Sequence, residues 1–243
     1  MPTTNSSVRI LDVPVHDVTM ESALNTIDGY IKAKTPHHVV TADASMLVMA
    51  QDDPDLRRII GKADLVTPDS VGILWAAGRK GTTLKERVSG VDIVDNLCRL
   101  SAANGYRIFF FGAAPGVADQ AAECMRNKYP GAQIVGTRSG FYTEAEADSI
   151  VQMIRDSQAD VVAVAMGIPR QEKWIDANRD KLNASMLIGV GGTLDVLSGT
   201  VRRAPRIMQK LALEWLWRVL SNPKKITKVM LLPRFVRLII QKR

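Results

Sequence analysis

Cysteine is nearly absent from this 243-residue chain, with Cys98 and Cys124 the only two. That excludes a disulfide framework, and the pair shows no metal-ligand spacing, so reduced cytosolic thiols are expected. The three histidines, His16, His37 and His38, form no ligand-like pattern either. No apolar run approaches the roughly 20 residues that cross a bilayer. Residues 1–7 are polar and uncharged, without the basic start and apolar stretch of a secretory signal. Neither GxGxxG nor a Walker A loop occurs. No clear acid stands about 20 residues beyond the one glycine-containing strand-end loop that resembles a nucleotide-binding turn, which argues against a dinucleotide fold.

What is present is an ordinary globular composition, 46% hydrophobic and 23% charged, able to bury a sizeable core. The net charge of +7 is unevenly spread. Residues 201–243 hold 12 Lys/Arg and one acid, Glu214, for a net +11, leaving the other 200 residues at −4. A mildly acidic body with a basic tail points to an anionic partner: nucleic acid, a lipid surface or phosphates.

Short apolar runs predict strands at residues 9–11, 38–41, 65–67, 107–111, 133–135, 161–165 and 186–190. Several are continuous rather than alternating, as strands buried on both faces are. Helical patterns cover residues 20–33, 45–50, 54–62, 71–77, 90–104, 116–128, 144–156 and 171–180. Strand and helix in alternation predict an α/β fold: a Rossmann-like, mostly parallel sheet with helices on both faces. Residues 1–200 read as this core. Residues 201–243 read as a separate helical appendage, with amphipathic patterns at 204–220 and 224–243, the latter interrupted by Pro233.

Parallel sheets bind ligands beyond the carboxyl ends of their strands, and five such segments carry candidate chemistry. In the first, Thr41 and Asp43 bring a hydroxyl and a carboxylate; a helix cap is the alternative. In the second, Asp69 reads as a helix cap or as a general base. The third has Arg87 just ahead of a helix start, where a diphosphate would meet a planar fork and a helix dipole; a plain surface arginine is the commoner explanation. The fourth, Phe111-Gly112-Ala113 through Gly116, suggests backbone close to a phosphate or ribose. In the fifth, Gly167 with Gln171 and Gly191 with Gly192 suggest close ligand contact; helix entry and tight packing account for them equally.

Together these segments resemble the WecG/TagA/CpsF glycosyltransferase family from about Val8 to the end. The blocks are Asp12-Val13-Pro14-Val15, Ala63 to Asp69, Glu86-Arg87-Val88-Ser89-Gly90, Phe111-Gly112-Ala113, Gly140-Phe141-Tyr142, Pro169 to Trp174, Gly189-Val190-Gly191-Gly192, Arg203-Ala204-Pro205 and Leu213-Glu214-Trp215-Leu216. The resemblance implies an inverting transferase that needs neither metal nor cofactor. It implies a UDP-sugar donor, often UDP-N-acetylmannosamine, and an acceptor sugar on a polyprenyl diphosphate, at the cytoplasmic face of the bacterial inner membrane. Carried over, Asp69 is the catalytic base, Thr41 and Gln171 are active-site residues, and Arg87 binds substrate. Arg218, Lys225 and Lys228 match basic positions of an appendage that reaches the membrane; the lysines stand in for arginines, a point charge for a fork. Gly112, Ala113, Gly167, Gly191 and Gly192 are candidate nucleotide contacts. Where the family shows Asn, this chain has Asp43, an acceptor-only group, which points to a donor other than N-acetylmannosamine. Asp53-Pro54-Asp55 spells the DxD of metal-dependent transferases, but it precedes a helical pattern and reads as a turn and cap.

The sequence is also compatible with two rival classes. One is another nucleotide-using α/β enzyme, such as an epimerase or methyltransferase. The other is a nucleic-acid-binding protein using the basic tail, although that tail interleaves its cations with aliphatics rather than with stacking aromatics. Exposed apolar helix faces would also favour a homo-oligomer.

Overall fold

The computed structural model describes residues 6–205, Met208, Trp217 and residues 230–241. Arg218, Lys225 and Lys228, and most of the two amphipathic patterns of the tail, lie outside the described residues.

The chain begins with strands β1 (Ser7–Ile10) and β2 (Val13–His16), followed by helix α1 (Met20–Ala33). Next come β3 (His37–Ala42), α2 (Ala44–Asp52), α3 (Pro54–Gly61), β4 (Leu65–Pro68) and α4 (Val71–Arg79). Then follow α5 (Gly90–Asn104), β5 (Arg107–Gly112), α6 (Val117–Lys128), β6 (Gln133–Arg138) and α7 (Ala147–Asp156). The series closes with β7 (Val161–Ala165), α8 (Arg170–Asn178), β8 (Met186–Gly189), α9 (Thr193–Leu197) and α10 (Leu231–Gln241).

Six strands form one parallel sheet in the order β4-β3-β8-β7-β5-β6. Successive side chains of a strand face opposite ways. Val39, Ile108 and Phe110 therefore pack under α1, α5 and α6, while Phe109, Phe111 and Val164 pack under α7 and α8. Val40, Ala42 and Val66 share that second face with α2, α3, α4 and α10. With both faces covered, β5, β7 and β8 are largely apolar, and their continuous runs follow from that.

The structure departs from the sequence pattern at several places. The run predicted at residues 9–11 is no part of the parallel sheet: β1 pairs with β2, which the pattern did not predict, in an antiparallel hairpin. The short helix α9 was also not predicted. Asp53 accepts from the Leu56 N–H at 3.0 Å and caps α3, as a turn-and-cap reading requires. Pro233 does not interrupt a helix. It sits in the first turn of α10, where its missing N–H has no partner to lose.

α10 packs on α2. It buries Phe235 and Ile239, and Arg234 Nη2 donates to Asp52 Oδ1 at 2.7 Å. Burying the phenylalanine alone contributes roughly 1.5–3 kcal/mol. No helix among the described residues is long and apolar enough to cross a membrane.

Candidate active site

A cavity of about 650 Å³ opens at the carboxyl ends of the strands. Every strand of the parallel sheet sends its following segment to the wall: Asp43 after β3, Asp69 after β4, Ala113 after β5, Phe141 after β6, Gly167 after β7 and Gly191 after β8. Leu232 of α10 adds a wall from the far end of the chain.

Backbone bonds set the acidic and basic groups side by side. The Asp69 N–H donates to Ala42 O at 2.9 Å, tying the end of β4 to that of β3. The Val88 N–H donates to Pro68 O at 2.9 Å, which brings the Arg87–Ser89 segment alongside. Glu86 is anchored behind by accepting from the Met20 N–H at 2.9 Å. Asp43, Asp69 and Arg87 thus line one wall. Asp43 also caps α2: its Oδ1 accepts from the Met46 N–H at 2.7 Å and the Ser45 hydroxyl at 2.6 Å. Asp43 is thus a helix cap that also lines the cavity. Ser70, not Asp69, occupies the cap position of α4.

Thr41 and Gln171 are both buried beside the cavity, and both bind the protein's own backbone. The Thr41 hydroxyl donates to Gly189 O at 2.9 Å. Gln171 Oε1 accepts from the Gly167 N–H at 3.0 Å and the Gly191 N–H at 2.9 Å, joining the loops after β7 and β8. Gly167, Gly191 and Gly192 line the cavity. Gly112 does not line it: at φ +128°, a Cβ there would lie 2.4 Å from Ala165 O, so the glycine lets β5 approach β7. Ala113 lines the cavity, but its N–H already donates to Ala165 O at 2.8 Å.

Two constellations escaped the sequence reading. Arg203, in a segment after α9, donates to both oxygens of Asp92 at 2.6 and 2.7 Å. The Ser89 hydroxyl donates to the same carboxylate at 2.6 Å. Burial alone would raise the Asp92 pKa. Arg203, Ser89 and the nearby charge of Arg87 outweigh it and hold the carboxyl below its usual range. The second is a buried pair in which His38 Nε2 lies 2.8 Å from Glu172 Oε2, with side chains 2% and 0% exposed. Arg203 and Glu172 each stood only as part of a motif block, so neither partner was marked by its own surroundings.

The cavity therefore combines two carboxylates at strand ends with the cations Arg87, Arg170 and Arg202 around a volume suited to a small ligand. Among the described residues no group of three or more His, Cys, Asp or Glu is placed to hold a metal ion. A family model described as glycosyl transferase, WecG/TagA/CpsF family, matches residues 8–243. This chain belongs to the WecG/TagA/CpsF glycosyltransferase family. It is a glycosyltransferase, and the match spans both the parallel-sheet body and the terminal helix α10. Membership decides against the epimerase and methyltransferase readings, and it gives the cavity of this WecG/TagA/CpsF member a reaction class, the transfer of a sugar.

Proposed function

We propose that the chain moves a hexose or N-acetylhexosamine from a UDP-sugar to a sugar on a polyprenyl diphosphate, with inversion and without a metal. The observation that carries this reading is the shared wall of Asp69 and Arg87 in the strand-end cavity. A half-buried carboxylate there can take the proton of the acceptor hydroxyl. The freed oxygen attacks C1 of the donor sugar, the bond from C1 to the diphosphate breaks, and UDP leaves with the electron pair. Negative charge grows on that diphosphate. Arg87, which lies just ahead of the α5 N-terminus, and the basic side chains of residues 201–243 are suited to receive it.

Asp43 is proposed as a donor selector. One of its oxygens is occupied as a helix cap. An asparagine could cap in the same way and turn its amide donor to the cavity, whereas Asp43 can offer only an acceptor. A donor without the N-acetyl group, such as UDP-glucose, fits that difference.

The segment from residue 201 onward is proposed as a membrane-facing appendage. Its net +11 would favour an anionic lipid surface, at about 1 kcal/mol for each cation close to it. This reading sets the enzyme as a peripheral protein at the cytoplasmic face of the inner membrane.

The test is incubation with a panel of UDP-sugars and a lipid-diphosphate N-acetylglucosamine acceptor, followed by product mass. One extended acceptor with inverted linkage is expected. Turnover only with a non-uridine donor, or an absolute need for a divalent cation, would refute the reading. Asp43→Asn should move preference towards UDP-N-acetylmannosamine; the same preference for that donor in both proteins would remove Asp43 as selector.

A further inference from the structure

We propose that the buried His38–Glu172 pair is a positioning device. Through the Gln171 amide it fixes the two glycine loops that close the cavity after β7 and β8.

A chain of polar contacts runs from mid-sheet to the site. His38 on β3 meets Glu172 Oε2 at 2.8 Å. Glu172 Oε1 accepts from Gln171 Nε2 at 2.9 Å. Gln171 Oε1 then accepts from the backbone N–H groups of Gly167 and Gly191. The side chains of His38 and Glu172 and the residue Gln171 are all at most 2% exposed. Each contact supports the next. A glutamine amide has one acceptor end and one donor end. With its oxygen committed to two glycines, its buried nitrogen needs an acceptor, and the Glu172 carboxylate supplies it. A carboxylate so buried needs donors on both oxygens, and His38 is the second.

The surrounding backbone makes room for this arrangement. At Gly189 a Cβ would sit 2.2 Å from Glu172 Oε1 and 2.6 Å from Gln171 Nε2. Glycine at that point of β8 is therefore a requirement of the two side chains. Thr41 binds Gly189 O from the same strand as His38. Positions 38 and 41 face opposite sides of the sheet, so β3 binds Gly189 O on one face and Glu172 of α8 on the other.

Without the pair, the Gln171 nitrogen is buried with no acceptor. The side chain leaves its seat, and the Gly167 and Gly191 loops lose their common anchor. His38 and Glu172 touch no substrate in this scheme; they act through Gln171.

The test is amide exchange of the full chain by NMR. Residue-specific rates at Gly167 and Gly191 are compared in wild type, Gln171→Ala, His38→Leu/Glu172→Met and Glu172→Gln. The apolar double variant keeps the volume and leaves no buried charge unpaired, an exchange that is often neutral for stability. Both glycine amides are expected to exchange at least about tenfold faster in it, matching Gln171→Ala, with no further change when the three substitutions are combined. Glu172→Gln keeps a carbonyl for the Gln171 nitrogen and is expected to preserve protection of both amides. Unchanged exchange in a folded double variant, or effects that add to those of Gln171→Ala, overturns the proposal. Wild type gives a reading that needs no variant: the Gln171 Nε2 protons should exchange slowly, in step with the two glycines. Fast exchange at Nε2 beside protected glycine amides also overturns it.

The kinetic arm rests on the glycosyl-transfer reading. There the double variant should lose about 10–100-fold in kcat/KM for the donor, the scale of a misplaced site wall. The exchange measurement needs no substrate, so the two ideas fail separately.

Discussion

Gly189→Ala puts the packing behind the cavity to a direct test. The new methyl carbon would lie 2.2 Å from Glu172 Oε1, 2.6 Å from Gln171 Nε2 and 2.9 Å from Glu172 Cδ. These side chains cannot swing aside without breaking the bonds that hold them, to His38, to each other and to two glycine amides. Overpacking costs about 1–3 kcal/mol, and one buried polar group left unpaired adds about 1–3 kcal/mol. In a protein of this size each kcal/mol moves Tm by about 2–4 °C, so a fall of roughly 4–24 °C is expected. Gly29→Ala is the control. Gly29 lies inside α1 with nothing within 4 Å of the added carbon, so the change should stabilise by about 0.5–1 kcal/mol. Thermal unfolding followed by circular dichroism reads both variants. A Gly189→Ala protein within about 1 °C of wild type, a small fraction of a kcal/mol on that scale, would refute the reasoning.

Asp69→Asn should keep UDP binding in calorimetry and lose most turnover; near-normal turnover would reject Asp69 as the base. Phe235→Ala should loosen α10 from α2, at about 3–5 kcal/mol for the docked helix, and limited proteolysis should then cut within residues 230–241 faster than in wild type. Asp92 is held below the usual carboxylate range, so its contribution is present above about pH 4 and lost as pH falls through the lowered folded value. Asp92→Asn should abolish that acid-dependent part of a Tm profile. Burial also lowers His16, whose Nδ1 accepts from the Val66 N–H at 2.9 Å. The folded state favours neutral His16, so stability should fall as pH drops below about 6.5, and His16→Gln should flatten that window.

The middle of the sheet was legible because β5 and β7 are apolar on both faces and announce themselves as nearly uninterrupted runs. The hairpin of β1 and β2 was not. Pro14 interrupts the second run, and the turn places Leu11 and Asp12 at φ 48° and 67° without a glycine to mark it. Leu11 is held in that disfavoured region by its own burial, a tertiary cause that no local rule carries. In the site, strand-end position marked Thr41, Asp43 and Asp69, because a parallel sheet fixes where ligands meet it; Arg87 was marked by the helix start that follows it and Gln171 by its place beside Gly167. What stayed hidden was partnership. His38 and Glu172 are 134 positions apart, and Asp92 and Arg203 are 111 apart. Glu172 and Asp92 each look like an ordinary acid in a helix first turn until the fold supplies the other side.

The strand order bears on how the protein is made. β8 lies between β3 and β7, yet it is the last strand of the sheet to leave the ribosome. Until then β3–β4 and β7–β5–β6 are two separate ribbons, each with a bare apolar edge. Such edges are templates for wrong pairing. A stalled or truncated product ending before Met186 would therefore be a candidate for chaperone capture or inclusion bodies. The cavity straddles the seam that β8 closes, so a nascent chain has no transferase site to misuse before synthesis has passed that strand.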